Sequence, residues 1–322
     1  MRKSYFLLCL TLALTACERD INLEDYRSIE GSDLLTLNAV VRPDSTVSAT
    51  ASLPYFFSDE ISAPRRVDSL SISVLADGNP VTTLSYNAES GRYESDFRPQ
   101  PGSVITLRTT YKGHTVEGTD TVPRPVTIEN ISVERTGPIH VYYENDWILT
   151  YRITFTDAPE SNNYYFLEYS PLMPLALMGE RDYSQEYVFQ QLARQINTSL
   201  PGWEPYSSRG LPFSDQGING QRHTLVVREI LQRSPGSSLP TDEELQRRFR
   251  LFAITSGYYR YLVSIISNQS DDSGLHGGLI DMGLTEPLKI YSNVSGGTGI
   301  VAGCTLSEQV VDVAAAAGSF YP

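Results

Sequence analysis

Leu14-Thr15-Ala16-Cys17 is the stretch of this chain whose residue types and order prescribe a covalent reaction. Arg2 and Lys3 give a positive start, Tyr5 to Leu14 a short apolar run, and small residues then lead into a cysteine. That order is the lipobox of a bacterial lipoprotein, with residues 1–16 as the signal peptide. Cleavage before Cys17 frees an amino group, and the Cys17 thiol and that amine take acyl chains such as palmitate. The apolar run is too short to span a bilayer as a helix. One acyl chain anchors a protein marginally, whereas two or three anchor it stably.

Other patterns that could do chemistry fail on context. Gly297-Thr298-Gly299-Ile300-Val301-Ala302 matches G-x-G-x-x-A, but a dinucleotide site needs a strand before it and a helix after it. Here β-branched residues and glycines follow, which suits a tight turn between strands. His114, His140, His223 and His276 have no metal-ligand spacing. Asp271-Asp272-Ser273-Gly274 is oxygen-rich without EF-hand spacing. No G-x-S-x-G is present. Asp157, Asp215 and Asp281 sit beside turn formers, where Asp commonly accepts from backbone N–H groups. With Cys9 in the signal and Cys17 acylated, Cys304 has no partner within the chain and reads as a buried small apolar residue. These residues point to no catalytic group, no metal site and no cofactor.

Composition narrows the partners. The signal peptide holds two basic and no acidic residues, so the mature chain is two charges more negative than the precursor's −13. An acidic chain is a poor match for nucleic acid or an anionic lipid surface. Attachment to a membrane must then come from the lipid. Tyr outnumbers Phe by 20 to 11, which suits half-buried strands and wet binding faces alike.

The elements that would position any site are mainly strands. Residues 17–32 form an acidic tether. Between 33 and 122, alternating runs such as Leu35-Leu37-Ala39-Val41 and Leu70-Ile72-Val74 recur with turns every 8 to 12 residues, the pattern of an immunoglobulin-like β-sandwich. Val122-Pro123-Arg124-Pro125 interrupts it as a linker. Residues 126–322 read as a β-rich domain with two or three helices. Strands are expected at 126–133, 147–155, 164–169, 224–230, 249–255, 287–294 and 298–305. Helices are expected over 183–197, from Thr241, and over 258–268 with Tyr258, Tyr261, Leu262 and Ile265 on the apolar face. Residues 200–220 read as an irregular excursion.

The run from Glu286 to Ile300 (Glu-Pro-Leu-Lys-Ile-Tyr-Ser-Asn-Val-Ser-Gly-Gly-Thr-Gly-Ile) resembles the E-P-x-x-x-Y-S-N-x-x-x-G-x-G block of the family called domain of unknown function 4249. Its matching residues are Glu286, Pro287, Tyr291, Ser292, Asn293, Gly297 and Gly299. Cys17-Glu18-Arg19-Asp20, Leu53-Pro54-Tyr55-Phe56, Phe213-Ser214-Asp215 with Asn219-Gly220, and Tyr258-Tyr259-Arg260-Tyr261-Leu262 also fit. The resemblance implies a Bacteroidota lipoprotein of the outer membrane, facing the cell surface and accompanying a SusC-type TonB-dependent transporter. It carries no catalytic residues over. The block itself reads as structural, with Asn293 and the glycines shaping a turn that buries Tyr291. The expected role is a non-enzymatic accessory that captures a glycan or peptide ligand for the transporter. Tyr142, Tyr143, Tyr164, Tyr165, Tyr258 and Tyr259 are the candidate contacts. A surface adhesion protein without transport and a polymer-degrading hydrolase are the alternatives. Cys17→Ala is expected to abolish incorporation of labelled palmitate and leave the chain at precursor mass; an acylated variant would refute the lipobox reading.

Overall fold

The computed structural model describes residues 34–54, 65–141, 143, 146–159, 162–172, 179–196, 204–205, 210–231, 241, 243–271 and 289–317. Within them the expected mainly β class holds. The first lobe runs through β1 (Thr36–Val41), β2 (Ser48–Leu53), the short β3 (Arg65–Arg66), β4 (Ile72–Ala76), β5 (Asn79–Asn87), β6 (Arg92–Glu94), β7 (Val104–Tyr111) and β8 (His114–Thr121). The period-two alternation puts Leu35, Leu37, Ile72, Val74, Leu107 and Val116 into one immunoglobulin-like sandwich core. Asp77-Gly78 and Lys112-Gly113 take positive φ at both residues, the type I′ geometry that matches strand twist in two-residue hairpins.

The second lobe begins with β9 (Ile128–Ile139), β10 (Asp146–Thr156), β11 (Tyr164–Pro171) and β12 (Gly179–Asp182). It continues through α1 (Tyr187–Gln195), β13 (Glu204–Pro205), β14 (Leu211–Ser214), β15 (Arg222–Leu231), β16 (Gln246–Ile254) and α2 (Ser256–Asp271). Last come β17 (Val294–Ser295), β18 (Thr298–Asp312) and α3 (Val313–Ala317). One sheet has the order β13-β12-β15-β10-β9, and the other contains β14-β11-β16-β18. Aromatic rings bridge the two sheets, Tyr151 to Phe249 at 5.0 Å and Phe155 to Tyr165 at 5.2 Å between centroids. This lobe is therefore a second sandwich, with an aromatic core.

The lobes share a strand. The first part of β18 lies parallel to β1, in register from Thr36 opposite Thr298 to Val41 opposite Gly303. Its remainder lies antiparallel to β16, from Ile254 opposite Cys304 to Gln246 opposite Asp312. β17 pairs with the middle of β8, Val294 opposite Gly118 and Ser295 opposite Glu117. Val294 and Val301 accordingly belong to the first core, while Cys304 belongs to the second. Val122 of the linker segment is fully buried in the first core, and Thr305 Oγ1 donates to Arg124 O at 3.2 Å.

Several local expectations shift. Helix α1 starts at Tyr187 and not at 183, because Ser184 N bonds Asp182 Oδ1 in a side-chain-closed turn and Tyr183 swings into the core. At Thr241 a capping box forms, with Glu244 N on Thr241 Oγ1 and Thr241 N on Glu244 Oε2. It closes a single turn, since the alternation of Phe249, Leu251 and Ala253 then takes the chain as β16. Helix α2 buries Tyr259 and Val263, and Tyr258 and Leu262 of the expected face pack partly against the same core, so the stripe is broader than expected and centred beside it. The strand expected over 287–294 is confined to Val294–Ser295 among the described residues, and the last strand runs on to Asp312. Within the expected irregular excursion, Leu211–Ser214 pairs with β11 as β14.

A fragment of residues 33–125 lacks the strand that covers both β1 and the end of β8. Circular dichroism is expected to show no cooperative thermal transition for it, and adding residues 289–305 is expected to restore one. A cooperative transition in the fragment alone would contradict this.

Candidate functional site

The block around Asn293 is built into the seam between the lobes. Asn293 Nδ2 donates to Val301 O at 2.7 Å and Thr119 O at 3.2 Å, and its Oδ1 accepts from Val301 N at 3.0 Å. One side-chain amide thus does the work of a strand residue, tying β8 to β18. Nearby, Asp120 Oδ2 accepts from Gly303 N at 3.0 Å and from the Thr255 hydroxyl, while Oδ1 accepts from Thr121 N. Thr255 Oγ1 in turn accepts from Tyr258 N at the start of α2. Burial lifts the Asp120 carboxyl above its usual range, and the three donors hold it back in part. Gly303 is required there, because a Cβ would lie 2.0 Å from Thr121 O. Gly299, at φ +109°, is required twice over, since a Cβ would also lie 2.3 Å from Leu37 O. Gly297 approaches Leu35 O as closely.

Tyr291 departs from expectation. Its ring is half-buried, not enclosed by a turn: Arg260 of α2 lies over it at 4.6 Å, and Tyr291 N donates to Ser264 Oγ at 3.0 Å. Ser292 Oγ accepts from Val294 N. Glu286 and Pro287 lie outside the described residues.

The six tyrosines chosen from sequence divide three ways. Tyr142 lies outside the described residues. Tyr143 sits before β10, at the far end of an eleven-residue strand, which places it roughly 35 Å along the strand from the α2 end. The other four gather near α2. Tyr165 is a core residue at 3% exposure, donating to Asp157, and no ligand reaches it. Tyr259 is also buried; its ring meets Tyr164 at 4.7 Å and its hydroxyl bonds Gln195 Oε1 at 2.7 Å. Tyr164 and Tyr258 keep partial exposure, and Tyr258 pairs with Tyr261 at 6.5 Å. Beside α2, Tyr258, Tyr261 and Tyr291 keep partial exposure, and Arg260 and Ile290 are exposed. Tyr261 and Tyr291 were not among the predicted contacts, because nothing local indicates that residue 291 packs on α2.

Burial pushes the Tyr258 hydroxyl up to about 12 and the neighbouring Cys304 thiol up to about 12. Such a thiol stays neutral and unreactive, as its reading as a small apolar residue requires. Asp157 and Asp215 behave as loop staples: Asp157 Oδ2 accepts from Gly220 N at 2.6 Å, and Asp215 Oδ2 from Asn163 N at 2.9 Å. Asp281 lies outside the described residues. Among the described residues, no three His, Cys, Asp or Glu side chains are placed to share a metal ion.

One polar cluster escaped the sequence reading. Arg247 and Glu229 are both fully buried between the sheets of the second lobe, with Arg247 Nε 3.0 Å from Glu229 Oε2. The Tyr151 hydroxyl donates to the same oxygen at 2.6 Å, and Arg247 Nη1 donates to Glu244 O at 2.6 Å. Burial is the largest influence and pulls the guanidinium down, but Glu229, Tyr151 and Tyr169 together raise it and the net shift is upward. The available signal was parity: Glu229 shares a face with Leu225 and Val227, and Arg247 with Phe249 and Leu251.

These features define a class: a two-lobed β-sandwich protein whose lobes share one strand and a polar seam. The chain belongs to the family described as domain of unknown function (DUF4249), which matches residues 18–309. No curated protein matches it. Among solved structures it is similar to one described as a membrane-anchored protein from Corynebacterium diphtheriae, at 11% identity and a TM-score of 0.21. That match covers 69% of this chain and 54% of the other, so this chain spans little more than half of that protein. A biofilm-associated protein B domain matches at 9% identity and a TM-score of 0.18, covering 88% of this chain and 86% of the other.

Arg247→Met alone leaves Glu229 charged in a dry core and is expected to cost about 3–5 kcal/mol in chemical denaturation. The double variant Arg247→Met with Glu229→Leu is expected to recover much of that loss. A double variant as unstable as the single one would show that the pair stabilises outright.

Proposed function

We propose that this protein is an outer-membrane lipoprotein, held by acyl chains on Cys17, that captures a glycan or peptide ligand as a non-catalytic companion of a SusC-type TonB-dependent transporter. The observation that carries the reading is the lipobox, followed by a short acidic segment that leads straight into β1. An anchor of that kind confines the body to a membrane surface, where it raises the local concentration of whatever it holds. Membership of the family supports it. No helix among the described residues is long and apolar enough to cross a membrane, which is compatible with attachment through lipid. The first lobe then serves as a spacer. Tyr261, Tyr291 and Arg260 are taken as the contact area, because half-exposed aromatic rings beside a cation can stack on sugar rings and peptide planes. The carboxylates near the seam and loops are already engaged by backbone N–H groups, which supports a binding role over hydrolysis.

Affinity purification from native outer membranes with a C-terminal tag is expected to recover a TonB-dependent transporter. Repeated recovery of the lipoprotein alone would overturn the proposal. Tyr261→Ala with Tyr291→Ala is expected to keep the thermal transition and to reduce retention of the ligand by the complex.

A further inference from the structure

The shared strand has a direction that matters under load. β1 begins at Thr36, immediately after the segment leading from Cys17, and β18 runs beside it in the same direction before continuing into the second lobe. A pull towards the membrane enters β1 at its N-terminal end. A pull on whatever the second lobe holds enters β18 from its C-terminal half. The two forces act on opposite ends of a parallel ladder, so they slide the strands past each other along their axes. In that geometry the interstrand hydrogen bonds share the load and must fail together. Peeling from one end would break them one at a time.

We infer that the β1–β18 ladder is a mechanical clamp that carries tension between the N-terminal anchor and the second lobe without unravelling the chain. The inference rests on the anchored reading above for the source of the force, not for the ladder's strength. The side chains around the ladder reinforce it. Asn38 Oδ1 accepts from Ile300 N at 3.0 Å, and Thr298 N donates to Leu35 O at 2.9 Å. Leu37, Ala39 and Val41 are buried on one face of β1, where water has little access to compete for the strained bonds. The other flank of β18 is held by the Asn293 amide on both backbone groups of Val301 and by Asp120 on Gly303 N. Gly299 lets β18 approach Leu37 O more closely than any side chain would permit. The clamp thus gives a physical role to Asn293, Gly297 and Gly299, which the ligand-contact surface does not use.

The test is single-molecule force spectroscopy on residues 17–322 carrying Cys17→Ser, with no lipid present. Handles at Leu34→Cys and Val310→Cys, both exposed positions, load the ladder in shear. Handles at Leu34→Cys and Ser295→Cys open it from one end. At equal loading rate the shear geometry is expected to unfold at about twofold higher force or more, because its backbone bonds break collectively. Asn38→Ala is expected to lower the shear force and leave the opening force nearly unchanged; Val40→Thr, on the exposed side of β1, is expected to leave both unchanged. A thermal melt of each variant confirms that it is folded before pulling. Equal forces in the two geometries would overturn the clamp while leaving lipidation and transporter recovery untouched. A strong clamp in a chain that never co-purifies with a transporter would keep this inference and remove the earlier one.

Discussion

The backbone ladder between residues 36–41 and 298–303 is the constraint on which the other parts of this molecule depend. It joins segments about as far apart in the chain as its described residues allow, and it is parallel, so no local hairpin could have formed it. Closing so long a loop is costly in chain entropy. The cost is met because β18 buries Val301 in one core and Cys304 in the other, and because each flank is hydrogen-bonded. Without β18, β1 would present an unpaired edge and the end of β8 would lose its cover.

The seam beside this ladder shows how side chains stand in for backbone. Asn293 supplies a donor and an acceptor at strand spacing, and Asp120 collects N–H and O–H donors from three elements. Both are polar groups in partly buried positions, where an unmet donor or acceptor is expensive. That gives the seam a defined geometry in place of a loose contact between lobes. It also sets the start of α2, and hence the position of the tyrosines and Arg260 that face outward beside it.

The second lobe meets the same constraint differently. Its core is aromatic, and into it the two sheets project Arg247 and Glu229, whose charges balance each other while the Tyr151 hydroxyl donates to Glu229. Such a pair adds little net stability over apolar packing, whereas losing one partner leaves a buried charge unpaired.

Much was legible from local pattern. The alternation of Leu35 to Val41, the turns at Asp77-Gly78 and Lys112-Gly113, and the staple-like placement of Asp157 and Asp215 all follow from residue type and short spacing. Where local signals competed, the structure chose: Thr241 makes its capping box, yet the period-two run that follows leaves a single turn and no helix. Along α2, Tyr258 and Leu262 of the expected face pack partly on the core, while packing against Tyr164 and Gln195 buries Tyr259 more deeply. By itself the sequence determined the mainly β class and most of its alternating strands, since these depend on near neighbours along the chain. Tertiary structure alone decided that one strand serves both lobes, that Asn293 bridges β8 and β18, and which tyrosines reach solvent. Those outcomes depend on contacts between residues hundreds of positions apart, which no local period encodes.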